Sequence, residues 1–407
     1  MCRLFPVVLV LCAPLYGGEA EYRRRLEAVV RTPGLVAFWD FVKRDAETRR
    51  FAAHQPAPAA HDFSLDAVNY VRVYWDEGRE ASYEDFPLLG EGPFGQAVRI
   101  RAEADAAFRP VLMVPRERLH DTGLDVKGPG SSVSLVAWVK RESGNHAIAG
   151  IWHEGTDLKG PAGLARRVER GRRQYALFAG LAANPGAAAV HVSENGASSF
   201  GDRYARNLAV TPQVLDEEWR AAGFVFDNRR NTVTAYFDGV ASDFWIDNPE
   251  MHPFFQWPVK AWQQAEWRRQ PGLQPGEDPD FPAGQFYSPP EDRVRRRTLL
   301  EKRGGERVEL EEYPFTRVRV THRNGAVVRR ELVALRINPF WFGQDLYAPK
   351  TADDGGPFTI GRVIHSSRSV GFTGWIGGVA VFNRPLSRKE MGRLARIGLA
   401  PITAPIP

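Results

Sequence analysis

Cysteine is nearly absent from this chain: two occur in 407 residues, Cys2 and Cys12. Both fall in an N-terminal stretch that reads as a secretory leader. Arg3 supplies a short positive region, residues 4–15 form an apolar run broken by Pro6 and Pro14, and small residues follow at Gly17, Gly18 and Ala20. Cleavage near Ala20 would leave a mature chain with no cysteine, which excludes disulfides, thiol catalysis and Cys-based metal sites. The alternative is a lipidated Cys12, but Leu11 stands where a lipoprotein signal carries a small residue. The expected location is outside the cytoplasm: secreted, periplasmic or at the cell surface.

Long apolar runs are lacking too. The leader is too short for a comfortable membrane span, and no later segment approaches 18 continuous apolar residues. A membrane-spanning helix is therefore not expected. Charge of one sign is also scarce. The formal net charge is +5, mild for this length, and makes no case for a nucleic-acid partner. Several chemistries have no motif. Neither His-x-x-x-His nor His-Glu-x-x-His occurs, so the sequence points to no dedicated zinc site. There is no Gly-x-Ser-x-Gly elbow, no recognisable Ser/His/Asp order and no phosphate-binding glycine loop.

What is present is a dense series of short strand patterns. Hydrophobic residues make up 43%, enough for a globular core, and 11 Trp and 24 Phe can fill that core or form ligand platforms. Alternating runs occur at 35–41, 68–75, 97–100, 132–140, 147–152, 174–180, 188–193, 219–226 and 232–237, separated by Gly, Asn and Asp turns. Many short strands with such turns predict a sandwich or jelly roll, and the scarcity of helical patterns excludes an α/β fold. A short charged helix is expected over 21–31. Another should follow Ser387, a capping residue ahead of an amphipathic stretch at 388–397.

The expected organisation is a leader over 1–20, a helical lead-in over 21–33, one large domain over 34–400 and a Pro-rich tail over 401–407. Residues 244–345 interrupt the domain. Their first half is rich in Pro, Trp and Phe and has no clean period. Their second half holds two alternating runs, 315–323 and 327–337, joined by Asn324-Gly325, a strong hairpin signal. The interruption reads as a loop plus a β-hairpin seated on the sandwich.

Several segments, in order along the chain, carry a family resemblance. They are Phe38-Trp39-Asp40-Phe41, Gly92-Pro93-Phe94-Gly95, 133–139 with Trp138, 219–226, Tyr236-Phe237-Asp238-Gly239, 358–362 and the closing run 372–387. Together they resemble a LamG-like, concanavalin A-like jelly-roll domain. The resemblance implies an all-β sandwich that binds glycans or proteins and only sometimes catalyses. One departure stands out: Gly377 and Gly378 occupy positions where many members carry an acidic pair. Ile151-Trp152-His153-Glu154 and 172–178 resemble a subgroup of secreted bacterial members with no assigned activity.

Hydrolases on this jelly roll align carboxylates along one strand, because the chemistry needs an acid and a nucleophile or base facing one groove. Their Glu-x-Asp-x-x-Glu pattern is absent; Glu103-Ala104-Asp105 has the first spacing only and reads as a solvated loop. No catalytic residue is therefore expected. The candidate ligand site is Trp152, His153 and Glu154 at a strand end, with Tyr175 and His191 on neighbouring strand candidates. An indole, imidazoles and a carboxylate there could stack on a sugar and hydrogen-bond its hydroxyls. The alternative puts Trp152 in the core with His153 and Glu154 simply exposed.

Asp353 and Asp354 could hold Ca2+ through oxygen ligands, or form a polar loop. Asp227, Asn228 and Asn231 read as a turn, and Asp238-Gly239 as a hairpin end. The aromatics of the interruption, Trp245, Phe254, Phe255, Trp257, Trp262 and Trp267, form either a platform or packing. The basic run Arg293, Arg295, Arg296 and Arg297 reads as a solvated sheet edge rather than a polysaccharide patch.

The function expected from these features is a secreted, non-catalytic module. It would bind a glycan or an extracellular protein, with no cofactor beyond possible Ca2+ and no nucleic-acid partner. The alternatives are a polysaccharide hydrolase or lyase, and a structural or adhesive surface protein.

Overall fold

The computed structural model describes residues 16–56, 61–102, 104–154, 172–180, 184–196, 209–249, 262, 289–291, 293–365 and 371–399. Outside these lie Cys2, Cys12, Glu103, the tail, and Phe254, Phe255, Trp257 and Trp267 of the interruption.

Two antiparallel sheets pack face to face. Across the first run Phe340–Trp341 (β18), Thr232–Phe237 (β12), Arg220–Asp227 (β11), Val133–Asn145 (β6), Gly371–Phe382 (β20), Ala97–Ile100 (β4) and Leu88–Leu89 (β3). Leu35–Trp39 (β1) pairs with the far half of β20. Across the second run Ala209–Val214 (β10), Ala187–Val192 (β9), Arg172–Ala179 (β8), Ala147–His153 (β7), Phe358–Ile360 (β19), Pro110–Val114 (β5) and Asp66–Asn69 (β2). Strands from late in the chain insert between early ones: β20 between β6 and β4, β19 between β7 and β5. This is an all-β sandwich with the crossed connections of a jelly roll.

The alternation of β6 explains the layers. Val133, Leu135, Ala137 and Val139 join the core between the sheets, where Trp39 stacks on Phe358 at 5.2 Å between ring centroids. Val136 and Trp138 face the other way and are covered by helices. One of these is the helix Arg388–Leu399, which starts where expected. Ser387 Oγ accepts from the Glu390 amide at 3.3 Å while Glu390 accepts from the Ser387 amide at 2.8 Å, a capping box. The glycines at 377 and 378 have a packing reason. A Cβ on Gly377 would lie 2.4 Å from Pro93, and one on Gly378 3.1 Å from the Phe38 and Phe94 rings, so the site has no room for acidic side chains.

The lead-in helix is Tyr16–Val30 (α1), longer at its start than the expected 21–31, and it runs through the cleavage position read at Ala20. Intrahelical pairs Glu19–Arg23, Glu21–Arg25 and Glu27–Arg31 support it. Arg25 is buried and donates to the carbonyls of Pro93 and Gly398 at 3.1 and 3.3 Å, tying the helix down.

The interruption is larger than a loop and a hairpin. It forms a third antiparallel sheet, ordered Phe244–Asp247 (β13), Ala326–Asn338 (β17), Thr316–Arg323 (β16), Glu306–Glu312 (β15) and Arg296–Arg303 (β14). The Asn324-Gly325 turn has positive φ at both residues, 51° and 84°, and joins β16 to β17 as its sequence predicts. The basic run leads into β14, an edge strand exposed along most of its length, and pairs across it through Arg297–Glu311 at 2.9 Å. Charge on both faces hides the period of β14 and β15 from a hydrophobic pattern. Phe244–Asp247 reads as unpatterned because it is short.

Buried Asn338 fastens this sheet to the sandwich. Its side chain accepts from the Ala235 amide at 2.9 Å and donates to the carbonyls of Ala235 and Ser242, both at 3.0 Å. Val318, Val320, Leu332, Leu335 and Ile337 continue the sandwich core.

Candidate functional site

β7 is buried along its whole length and leads to the candidate residues. Its register against β8 shifts between Ile151 and Trp152: Ile151 faces Tyr175, whereas Trp152 faces Arg173. Such a bulge re-aims the side chains around it. Ile151 and Tyr175 turn into the core between the sheets. Trp152 is buried in the same hydrophobic core cluster, as the alternative reading had it, and its ring lies edge-on to His191 at 5.2 Å and to Phe178 at 5.5 Å.

Glu154 follows the strand. Its amide donates to the Ile364 carbonyl at 3.0 Å, and a parallel bridge joins His153 to Ile364, so the chain at 361–365 lies beside the end of β7. That bridge brings His365 to Glu154, with Nε2 2.7 Å from Oε2. Arg173 lies 3.5 Å from the same oxygen, and Trp152 Nε1 donates to Oε1 at 3.2 Å. His146, in the turn between β6 and β7, completes the group. Its ring is perpendicular to that of His365 at 5.5 Å and packs on Phe178 at 5.0 Å. His146 has φ 135°, a backbone conformation uncommon for any residue with a Cβ.

Burial sets much of the electrostatics. It pushes the His146 imidazole down to about 4 and those of His153 and His191 down to about 3. For Glu154, burial alone would raise the pKa. The hydrogen bond with His365 and the charge of Arg173 outweigh it and hold the carboxyl well below the usual range. Among the described residues, His146 Nδ1 and both ring nitrogens of His191 have no hydrogen-bond partner.

Of the five candidate residues, the structure brings Trp152, Glu154 and His191 together. His153 packs edge-on against Tyr74 of the helix Tyr70–Trp75 (α2) at 4.9 Å. Tyr175 is a correction. It is fully buried, its hydroxyl donates to the Leu124 carbonyl at 2.7 Å, and its ring faces Phe224 of the opposite sheet. Trp152 is only 3% exposed, so its ring offers no stacking platform; its N–H positions Glu154 instead. Sequence reasoning missed His146, Arg173 and His365. Arg173 lay in a segment already singled out for its family resemblance, but the two histidines carry no local motif.

Gln174, next on β8, belongs to a second polar cluster. Asp125 is chelated by Arg116 at 2.7 and 2.8 Å and also accepts from Lys127 at 2.7 Å, Gln174 at 3.0 Å and the Asp121 amide at 3.0 Å. Where His120, Asp121 and Asp125 come together, the Lys127 ammonium already pairs with both carboxylates.

Asp353 and Asp354 are exposed in a turn, where Thr351 Oγ1 donates to Asp354 at 2.9 Å. Among the described residues, neither joins a group of three or more metal-ligating side chains. Asp227 accepts from the Arg230 amide at 3.2 Å in a turn, and Asp238, just past β12, accepts from the Ala221 amide of β11 at 2.8 Å.

No protein family matches this chain, and no curated protein does. Among solved structures it is similar to domain 4 of AbnA, a GH43 extracellular arabinanase from Geobacillus stearothermophilus, in complex with arabinotriose. There identity is 10%, the TM-score 0.40, and coverage 89% of this chain and 98% of that one. It is also similar to the binding domain of Botulinum neurotoxin DC in complex with rat synaptotagmin II, at 7% identity and a TM-score of 0.35, covering 90% of this chain and 52% of that one. A third is a Trypanosoma rangeli sialidase in complex with the inhibitor DANA, at 10% identity and a TM-score of 0.34, covering 93% and 37%. Scores of this size leave the fold to be argued from the strand pairing itself.

Proposed function

We propose that this chain is a LamG-like, non-catalytic binding module that works outside the cytoplasm. It takes a glycan or a similarly polar extracellular ligand at the rim formed by Glu154 and His365. The observation that carries this reading is the convergence of Glu154, His365 and Arg173 at one end of the seven-stranded sheet. The Glu154 and His365 side chains keep 14% and 21% of their surface exposed, while Trp152 stands buried behind them and orients the carboxylate. A fixed acceptor beside fixed donors is what hydroxyl groups need for oriented binding. Recognition in this reading is by polar contacts, not by sugar stacking on Trp152.

The group around Glu154 contains one carboxylate among the described residues, whereas glycoside hydrolysis ordinarily uses a pair. Binding without turnover is therefore expected. The test is a glycan array run beside a reducing-end assay on the purified full chain. Binding should occur without sugar release and should weaken at least about tenfold in Glu154→Gln, as for a lost charged hydrogen bond. Sugar release, or binding indifferent to Glu154→Gln, would overturn the reading. The location is tested separately, by fractionating cells that express the chain. Recovery in the cytoplasm with the leader intact would break that part.

A further inference from the structure

We propose that His146, Glu154 and His365 form a binding site for one divalent first-row transition-metal cation of the zinc class. Each offers a ligand atom, and these atoms all lie within 4.8 Å of one another. Two imidazole nitrogens and one carboxylate oxygen are a donor set suited to zinc and its neighbours. They are a poor set for calcium, which takes six to eight oxygens.

Two further observations point to a ligand here. His146 is 6% exposed and its Nδ1 has no hydrogen-bond partner among the described residues, although its ring packs against that of His365. A buried ring nitrogen left so is costly unless something else uses it. Glu154 is also oriented from behind: Trp152 holds Oε1 at 3.2 Å, which leaves Oε2 directed at His365. Supporting hydrogen bonds of this kind are what aim a carboxylate at a metal.

Metal–ligand bonds of about 2.0–2.2 Å put neighbouring ligand atoms roughly 3–3.5 Å apart, so closing on a cation asks for side-chain rotations of about 1 Å. The cation would replace the His365–Glu154 hydrogen bond. Three protein ligands leave a fourth position to water or to a hydroxyl of an incoming molecule. The partial exposure of Glu154 and His365 provides the way in. Arg173, 3.5 Å from Oε2, opposes a second positive charge and should keep the affinity moderate. The sequence conceals the set because it contains no two histidines at helical spacing and draws its third ligand from beyond the inserted sheet.

This inference does not depend on the glycan reading, since metal uptake is measured directly. The experiment treats the full chain with EDTA, desalts it and titrates it with ZnCl2 and, separately, CaCl2 by calorimetry, with metal content read by plasma emission. One zinc per chain is expected, with a raised Tm and no comparable calcium uptake. His146→Asn, chosen because Asn tolerates positive φ, and His365→Ala should each weaken zinc binding about 100-fold or more, the loss of one of three ligands. Should either variant fail to fold, Co2+ in the unaltered protein decides. Paramagnetically shifted ring protons from two histidines are expected. No uptake, a preference for calcium, zinc binding unchanged by both variants, or a cobalt spectrum without shifted histidines would overturn the proposal.

Discussion

Arg173 and Gln174 are adjacent on β8, yet they serve two polar clusters of opposite character. Around Gln174, the Asp125 carboxylate is saturated by Arg116, Lys127, Gln174 and the Asp121 amide. Around Arg173, Glu154 is held from several sides, but His146 Nδ1 and both nitrogens of His191 are left without partners among the described residues. A saturated network rigidifies a fold. A network with buried groups left over costs stability and has capacity for something else. The first cluster therefore reads as architecture and the second as a site. Both clusters combine acid, arginine and histidine, and Arg116 Nε is itself without a partner among the described residues, so the difference rests on the carboxylate and the imidazoles: Asp125 is saturated, whereas the His146 and His191 rings are not.

The strongest way to break this contrast is Asp125→Asn. The Asp125 side chain is fully buried, and neutralising it leaves Arg116 uncompensated, so a loss of about 3–5 kcal/mol is expected in urea unfolding. A loss below about 1 kcal/mol would mean that the cluster is not architectural. The pH dependence of that loss sharpens the test. Burial alone would raise the Asp125 pKa, but the hydrogen bonds from Arg116 and Lys127 outweigh it and depress it. The stabilisation is then present in full above the unfolded value of about 3.9 and disappears as pH falls through the folded one. The gap between the wild type and Asp125→Asn should close on that acid limb and stay constant above it.

Next in size is Gln174→Leu, which removes donors to Asp125 and to the Val126 carbonyl, both at 3.0 Å; about 1–3 kcal/mol should be lost. Tyr175→Phe should cost about 1 kcal/mol by releasing the Leu124 carbonyl, and leave ligand and metal binding untouched. Altered binding in that variant would return Tyr175 to the site. The smallest effect on stability belongs to His191→Phe. Its ring contacts with Trp152 and Phe178 survive and two unpartnered nitrogens disappear, so the change should lie within about 0.5 kcal/mol or be stabilising. A loss above about 2 kcal/mol would show that the His191 nitrogens are satisfied after all, and would weaken the contrast.

Much of the fold was legible because its signals are local. The β6 alternation, the Asn324-Gly325 turn and the Ser387 cap each involve residues close in sequence. The third sheet was legible only in its β16–β17 hairpin, because the remaining strands are short or carry charge on both faces. Within the site, Trp152 and Glu154 were readable as a polar strand end. Tyr175 was placed beside them by strand adjacency, but it pairs with Ile151, and successive residues of a strand point to opposite faces, so it shares the face of Ile151 and not that of Trp152. His146 and His365 had no motif to reveal them.

The sequence by itself determined an all-β chain, its main strands and turns, and the lack of cysteine chemistry beyond residue 12. These follow from periodicity, turn residues and composition, which act over a few positions. Only the tertiary structure decided that Gly377 and Gly378 make room for Pro93 and Phe94, that Asn338 fastens an added sheet, and that His365 meets Glu154. Each depends on pairing between segments far apart in the chain. Such pairing is selected by the register and packing of the whole sandwich, which no short window of sequence contains.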